Sequence, residues 1–155
     1  MNGSSILLII AAVFAIISTF CFVRRNSLLK EIESEFKMNP HFETPNNDGD
    51  ELTLRIINGF GKCFQGKFRK ANIGEYKTHV TYHCIVLLFL IFPRTAYRVI
   101  PTTGKWDTRP SWRIIGSDIE DSREKSCIKY RFYGVWSCVI AIFGAFMGFH
   151  LIAVS

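Results

Sequence analysis

The sequence predicts an α+β membrane protein in which two transmembrane helices flank a small antiparallel β-rich body. All 19 Lys and Arg residues and all 13 Asp and Glu residues lie between Arg24 and Arg131. The two ends of the chain outside these residues are apolar and uncharged. The charged middle contains stretches in which apolar and polar residues alternate, a pattern typical of strands. Two uncharged ends around a polar middle therefore predict two membrane anchors and one body.

The first uncharged end contains the apolar run ILLIIAAVFAIISTFCFV over residues 6–23. As a helix this run rises about 27 Å, which is close to the thickness of the hydrocarbon core. We therefore expect residues 1–23 to form a transmembrane helix. A cleaved signal peptide is the alternative, but the preceding residues carry no Lys or Arg and no A-x-A site closes the run.

The other uncharged end, residues 132–155, rises about 36 Å as a helix and predicts the second span. Tyr133 and Trp136 follow basic residues, as expected at a membrane interface. Small residues recur within this helix at spacings that place them on one side: Ser137, Ala141, Gly144, Ala145 and Gly148. Small side chains let helices approach closely in lipid, so we expect this row to pack against the first helix of the same chain or against a second copy.

Basic residues flank both predicted spans on the side of the body: Arg24, Arg25, Lys30, Lys125, Lys129 and Arg131. The positive-inside rule then predicts a cytoplasmic body with both termini outside.

A third hydrophobic segment, residues 78–93, reads THVTYHCIVLLFLIFP. Its densely apolar part, residues 84–92, is too short to cross the membrane as a helix. We expect a buried or membrane-dipping element. A third span remains the alternative, although it would place a strongly basic segment on the opposite side from the rest of the body.

Within the charged middle, residues 24–38 have the apolar spacing of an amphipathic helix, and residues 39–50 form a linker rich in Pro, Asn and Gly. The β-rich body covers residues 51–131. Its first predicted strand ends at Asn58-Gly59, a strong hairpin signal. Further strands are predicted at 78–82 and 97–101.

Several short motifs follow one another in the body: Asn58-Gly59-Phe60-Gly61, Gly66, Tyr76, Thr78, Thr81, Phe92-Pro93 and Tyr97-Arg98-Val99. This middle region resembles small uncharacterised bacterial membrane proteins with an N-G-x-G and F-P-x-x-x-Y-R-V layout. The resemblance covers about the middle third of the chain. It implies a membrane location and implies no activity. We expect that membrane to be a bacterial inner membrane.

No familiar catalytic motif accompanies these residues. Gly59, Gly61 and Gly66 match neither a dinucleotide fingerprint nor a P-loop. His79 and His83 have too few neighbouring ligand types for a metal site, so we predict no cofactor and no metal. The five cysteines fit reduced thiols rather than an extracellular disulfide framework.

A basic run in the body alternates with phenylalanines, and its cations are Lys62, Lys67, Arg69 and Lys70. We expect these four residues to contact anionic lipid headgroups. Nucleic acid is a weaker hypothesis, because no binding motif accompanies the net charge of +6.

The leading functional hypothesis is a non-enzymatic accessory or assembly subunit that binds membrane lipids and a membrane-protein partner or a second copy of itself. One alternative is a membrane enzyme acting on a lipid or lipid-linked substrate through His79, Tyr82 and His83. A second alternative is a small channel or transporter component, which the lack of charge inside both predicted spans disfavours.

Overall fold

The computed structural model describes residues 3–40, 56–57, 60–88, 90–101 and 112–154. The chain divides into two compact units. Residues Met1–Ser27 and Lys129–Ser155 form the first, which we call the helical unit. Residues Leu28–Ile128 form the second, which we call the sheet unit.

The elements follow one another as α1 (Gly3–Met38), β1 (Ile56–Ile57), β2 (Phe60–Ile73), β3 (Tyr76–Leu87), β4 (Leu90–Pro101), β5 (Trp112–Ser117) and α2 (Ser122–Val154). The described strands form one antiparallel sheet in the order β1-β2-β3-β4-β5. Two long apolar helices thus flank an antiparallel sheet in the chain, and the α+β prediction is confirmed. The segments predicted as separate helices, 1–23 and 24–38, are one continuous helix, α1.

Two helices in the described part of the chain are long and apolar enough to cross a membrane, Gly3–Met38 and Ser122–Ala153. Only 17% of the most apolar window of each helix is buried. The core helix of a water-soluble protein would be mostly buried, whereas these two helices are mostly exposed. Ile16 and Phe143, for example, are 70% and 65% exposed.

Small residues bring α1 and α2 together inside the helical unit. A Cβ built on Gly144 would lie 3.4 Å from the Cβ of Ala11, and one built on Gly148 would lie 3.0 Å from Leu8. The Ser18 hydroxyl donates a hydrogen bond of 2.8 Å to the carbonyl oxygen of Gly134. Gly144 and Gly148 of the predicted small-residue row therefore face the first helix of the same chain. Ser137, Ala141 and Gly144 are buried, Ala145 is half-buried and Gly148 is buried.

The sheet is built on two tight hairpins. Ile73 pairs with Tyr76 at the end of β2, and Leu87 pairs with Leu90 at the end of β3. The alternation of side chains along β3 separates two faces. Val80, Tyr82, Cys84 and Val86 lie on one face and are buried, and with Ile91 and Ala96 of β4 they form the core.

The hydrophobic segment 78–93 is part of this sheet and forms no third helical span. Residues 78–87 of the segment belong to β3 and residues 90–93 belong to β4, and the two strands pair with each other in antiparallel register. The apolar residues that made the segment resemble a membrane element are largely those of the sheet core. The physical reason is that hydrogen bonds to neighbouring strands satisfy the backbone polar groups of these strand residues, and the core buries alternate side chains.

The last part of α1 has the predicted amphipathic pattern. In residues 28–38, Leu28 and Ile32 are buried, whereas Glu31, Glu33 and Glu35 are exposed. The rest of the predicted linker from residue 41, the start of the first predicted strand and the Asn58-Gly59 turn lie outside the described residues.

Candidate functional site

A network of buried ions occupies the sheet unit where the start of α2 meets the sheet. Its four charged members are Arg69 of β2, Arg98 of β4, Asp118 after β5 and Glu124 of α2. The side chain of Glu124 is fully buried, and those of Asp118 and Arg98 are 7% and 3% exposed. Two cations and two anions balance each other, as burial of charge requires.

Arg69 is the hub of the network. Its Nε and Nη2 atoms donate hydrogen bonds to the two carboxylate oxygens of Glu124 at 2.7 and 3.0 Å, a bidentate geometry. Its Nη1 atom donates to Asp118 at 3.2 Å, and Nη2 also donates to the carbonyl oxygen of Ile119 at 2.8 Å. One guanidinium thereby ties the start of α2 and the segment after β5 to the second strand.

Two irregularities in β2 direct Arg69 toward Glu124. The register of β2 against β3 shifts between Gln65 and Phe68 and again between Phe68 and Ala71. Arg69 lies in the second shift with φ of 43°, in the left-handed region that most L-residues avoid. A β-bulge redirects a side chain relative to a regular strand. This bulge lets an arginine from a basic surface run reach a buried carboxylate.

Glu124 has a second partner in Tyr82. The tyrosine hydroxyl donates to Oε2 of Glu124 at 2.8 Å and accepts the backbone N–H of Asp121 at 2.8 Å. Burial raises the pKa of Glu124, and the hydrogen bond and charge of Arg69 act in the opposite direction. Burial also raises the pKa of the Tyr82 hydroxyl, and the nearby Glu124 carboxylate adds to this effect.

Arg98 completes the network at the next strand. Its Nη2 atom donates to Asp118 at 2.9 Å, and its Nη1 atom donates to the hydroxyl of Thr78 at 3.2 Å. Asp118 therefore bridges Arg69 and Arg98. Every charged member of the network is held by at least one other, so these charges are engaged in holding the fold.

An open groove of about 640 Å³ lies beside the network. At its rim, Arg123 donates two hydrogen bonds of 2.6 Å to the carboxylate of Glu35 and one of 3.0 Å to Asp121. These contacts join the end of α1 to the start of α2 within the sheet unit. Because Glu35 and Arg123 are well exposed, water screens this pair more than the buried ones.

The four cations predicted to contact headgroups fall into two groups. Lys62, Lys67 and Lys70 are exposed. Lys67 and Lys70 line a groove of about 240 Å³ that is also lined by Ile32 and Phe36 of α1. Arg69 leaves the predicted set, because its guanidinium is 16% exposed as a side chain and is committed to Glu124 and Asp118.

The three residues named for the enzyme alternative do not converge. Tyr82 lies on the core face of β3, whereas His79 and His83 lie on the other face. Burial lowers the pKa of His79 to about 4, and the charges of Lys67, Lys70 and Arg98 act in the same direction. His83 instead belongs to an aromatic cluster, in which the Phe64 ring lies 6.4 Å from His83 and 5.4 Å from Trp112.

Sequence reasoning missed Asp118 and Glu124. Asp118 follows β5 and Glu124 lies in the first turn of α2, and they are 49 and 55 residues from Arg69 in the chain. A carboxylate in the first turn of a helix also has an ordinary local explanation in the helix dipole. Only the sheet topology brings these residues to Arg69.

Among the described residues, no group of three or more His, Cys, Asp and Glu side chains could hold a metal ion. Comparison of the chain with family models, with curated protein sequences and with solved structures finds no match of any of the three kinds.

Proposed function

We propose that this chain is an integral membrane protein of the bacterial inner membrane that acts as a non-enzymatic accessory or assembly subunit. Helices α1 and α2 cross the bilayer, and the sheet unit lies in the cytoplasm with both termini outside. The observation that carries the proposal is the exposure of the helical unit: large apolar side chains cover its surface, and small residues fill its interior. Lipid is the solvent in which that arrangement is stable.

The sheet unit supports a binding role better than a catalytic one. Its buried ions are paired with one another, and its candidate histidines lie on the face opposite Tyr82. Its exposed cations Lys62, Lys67 and Lys70 are suited to anionic headgroups, each contributing on the order of 1 kcal/mol of attraction near a charged membrane surface. The grooves beside the ion network offer a place for a protein partner.

Topology is tested by single cysteines introduced at Lys70 and Glu120, which are exposed positions on either side of segment 78–93. In intact cells and in inverted membrane vesicles, a membrane-impermeant maleimide should label both positions only from the cytoplasmic side. The unmodified chain, with its own five cysteines, is the control. Labelling of the two positions from opposite sides would contradict the two-span topology.

The lipid contact is tested by lipid mass spectrometry of the full chain purified in mild detergent. The variant Lys62→Glu, Lys67→Glu, Lys70→Glu should retain fewer anionic lipids than the unmodified chain. Lys77→Glu, which reverses an exposed lysine of β3 outside the predicted set, is the control and should change retention little. Equal retention by the triple variant would contradict headgroup binding at these lysines.

The accessory role is tested by protein mass spectrometry and particle mass on the same preparation. A second membrane protein in fixed stoichiometry is the expected result. A homo-oligomer that carries only lipid would contradict the role of an accessory to another protein.

A further inference from the structure

Five exposed apolar side chains lie together at one end of the sheet, and we call them the apolar tip. They come from the start of β2, the β3–β4 hairpin and the start of β4: Phe60, Leu87, Leu88, Leu90 and Phe92. Strand register brings them together, since Leu87 pairs with Phe60 on one side and with Leu90 on the other. Each is between 41% and 51% exposed, so the tip is a continuous apolar surface spread over three strands.

The other end of the sheet shows what an ordinary hairpin end in water looks like. There β2 and β3 are joined through Gly74 and Glu75. Gly74 has φ of 58°, a conformation that glycine adopts without cost. Glu75 and Lys77 are exposed, and the one large aromatic residue exposed between them, Tyr76, carries a polar hydroxyl. This polar turn follows the usual chemistry of tight hairpins.

The turn at the apolar tip departs from that chemistry. Leu88 has φ of 53°, in the left-handed region where Gly and Asn are the usual residues, and it is 51% exposed. A leucine here is costly to the backbone, and only about half of its surface is buried within the chain. An exposed, strained apolar residue at the point of a hairpin indicates a role outside the fold.

The charges around the tip favour a membrane over a protein as its partner. Lys62 lies in the next row of the same face, opposite Ile85, and is exposed, as is Arg94 of β4. Apolar residues with cations immediately behind them match an anionic bilayer interface, where the apolar groups enter the acyl boundary and the cations meet phosphates. The cores of protein interfaces are, by contrast, depleted in lysine.

We infer that the apolar tip inserts into the interface of an anionic bilayer, giving the sheet unit its own membrane contact in addition to the two helices. This inference rests on the membrane location proposed above. Insertion at interface depth leaves the strands of the hairpin paired, so no ladder hydrogen bond is broken.

The test uses the full-length chain in vesicles that contain anionic lipid. An environment-sensitive fluorescent amino acid is placed at position 88, and in separate samples at position 75 of the polar turn and at position 143 of α2. We expect a blue shift of emission at 88 and loss of intensity with quenchers attached to lipid near the headgroup. The label at 75 should keep the emission of a probe in water and respond to a water-soluble quencher.

Each of the other outcomes has a distinct meaning. Lipid quenching at 143 without quenching at 88 would overturn the inference and leave the proposed membrane location intact. Absence of quenching at 88 by the headgroup quenchers and at 143 by quenchers attached to the acyl-chain ends would overturn the membrane location as well. A label at 88 that is protected from the water-soluble quencher yet insensitive to lipid quenchers would show that protein covers the tip, and would overturn the inference.

A substitution that preserves the turn strengthens the test. Leu88→Asn removes the apolar side chain while keeping a residue that tolerates positive φ. With the label moved to position 90, this variant should lose the quenching by lipid that the unmodified chain shows. The matched control, Glu75→Asn in the polar turn, should leave quenching at 90 unchanged. Equal quenching in the Leu88→Asn variant would contradict a role for the tip.

Discussion

The helical unit and the sheet unit arrange polar and apolar side chains in opposite ways. The helical unit exposes Ile16 and Phe143 while its interior holds small residues such as Ser18 and Gly144. The sheet unit buries large apolar residues, as a domain in water does, with Tyr82 fully buried among them. The helical unit therefore has the kind of surface expected in lipid, whereas the sheet unit has the kind of core expected in water.

The interactions that hold the two units also differ in strength and kind. Close contact between helices at small residues holds the helical unit, together with the hydrogen bond from Ser18 to Gly134. In the sheet unit, burial of apolar surface is joined by an ion network in which each charge depends on the others. Loss of one member should therefore cost the sheet unit more than loss of a single contact costs the helical unit.

The largest expected effect is in the ion network. Arg69→Ala leaves Glu124 buried without its main cationic partner, which should cost about 3–5 kcal/mol of stability. The measurement is thermal unfolding of the full chain in detergent micelles, with hydrogen exchange used to locate the change in the strands. Lys70→Ala, in the same bulge but exposed, is the control and should have little effect.

A double variant separates loss of pairing from loss of packing. Arg69→Met with Glu124→Leu removes both charges together and should recover much of the stability lost in Arg69→Ala. If Arg69→Ala proved no more costly than Lys70→Ala, the buried network would not be what holds the sheet unit.

The next effect concerns pH and should be confined to the sheet unit. The pKa of His79 is about 4 in the fold against an ordinary value of 6.5. Between these values the unfolded chain gains a proton that the folded chain does not, so stability falls as pH falls. The loss should be on the order of 3 kcal/mol by pH 4.

The measurement is the stability of the strands between pH 7 and pH 4, followed by hydrogen exchange. His79→Gln should remove this part of the pH dependence, while other acidic groups keep theirs in both chains. An unchanged slope in His79→Gln would assign the pH dependence to other groups.

A smaller effect is expected from crowding in the helical unit. Gly144→Ile places branched carbons against Ala11 and the backbone carbonyl of Leu7, and should cost about 1–3 kcal/mol. Gly144→Ala should be tolerated, because its Cβ would make an ordinary contact of 3.4 Å. Thermal unfolding followed by helical ellipticity measures both. A loss of strand protection instead of helix stability would contradict the separation of the two units.

Sequence alone predicted the parts of the fold that depend on local composition. The helices follow from the absence of charge at both ends, and the parts of β3 and β4 at residues 78–82 and 97–101 follow from alternation of apolar and polar residues. The turn at Leu88 was not predicted, because leucine carries none of the signals of Gly or Asn. Because the sequence shows no turn signal at Leu88, residues 78–93 on either side of it are interpreted as one apolar segment.

The candidate site was less predictable for a related reason. Arg69 lies in a run of cations, and such a run in a sequence predicts an exposed surface. Its side chain is instead directed to the interior by a bulge in β2 and by the carboxylate of Glu124, which is 55 residues away in the chain. The residues next to Arg69 in the sequence show that it is charged, but they do not show which distant residue it contacts. Lys62, Lys67 and Lys70, which are exposed, remain a prediction for headgroup contact.

The smallest expected effect on stability is the loss of one hydroxyl group from the helical unit, which can be compared with the loss of one hydroxyl group from the sheet unit. Ser18→Ala removes one hydrogen bond to Gly134 in the helical unit and should cost about 0.6 kcal/mol, the average for such bonds between membrane helices. Tyr82→Phe leaves both Glu124 and the backbone N–H of Asp121 without this partner, and should cost about 1–3 kcal/mol. The cost of Ser18→Ala is small because, in the proposed membrane, a serine on separated helices still finds other hydrogen-bond partners. The cost of Tyr82→Phe is larger because water cannot reach the buried carboxylate of Glu124 while the sheet stays folded. Equal costs in the two variants, measured by thermal unfolding in the same micelles, would mean that both units lose their polar contacts to the same solvent.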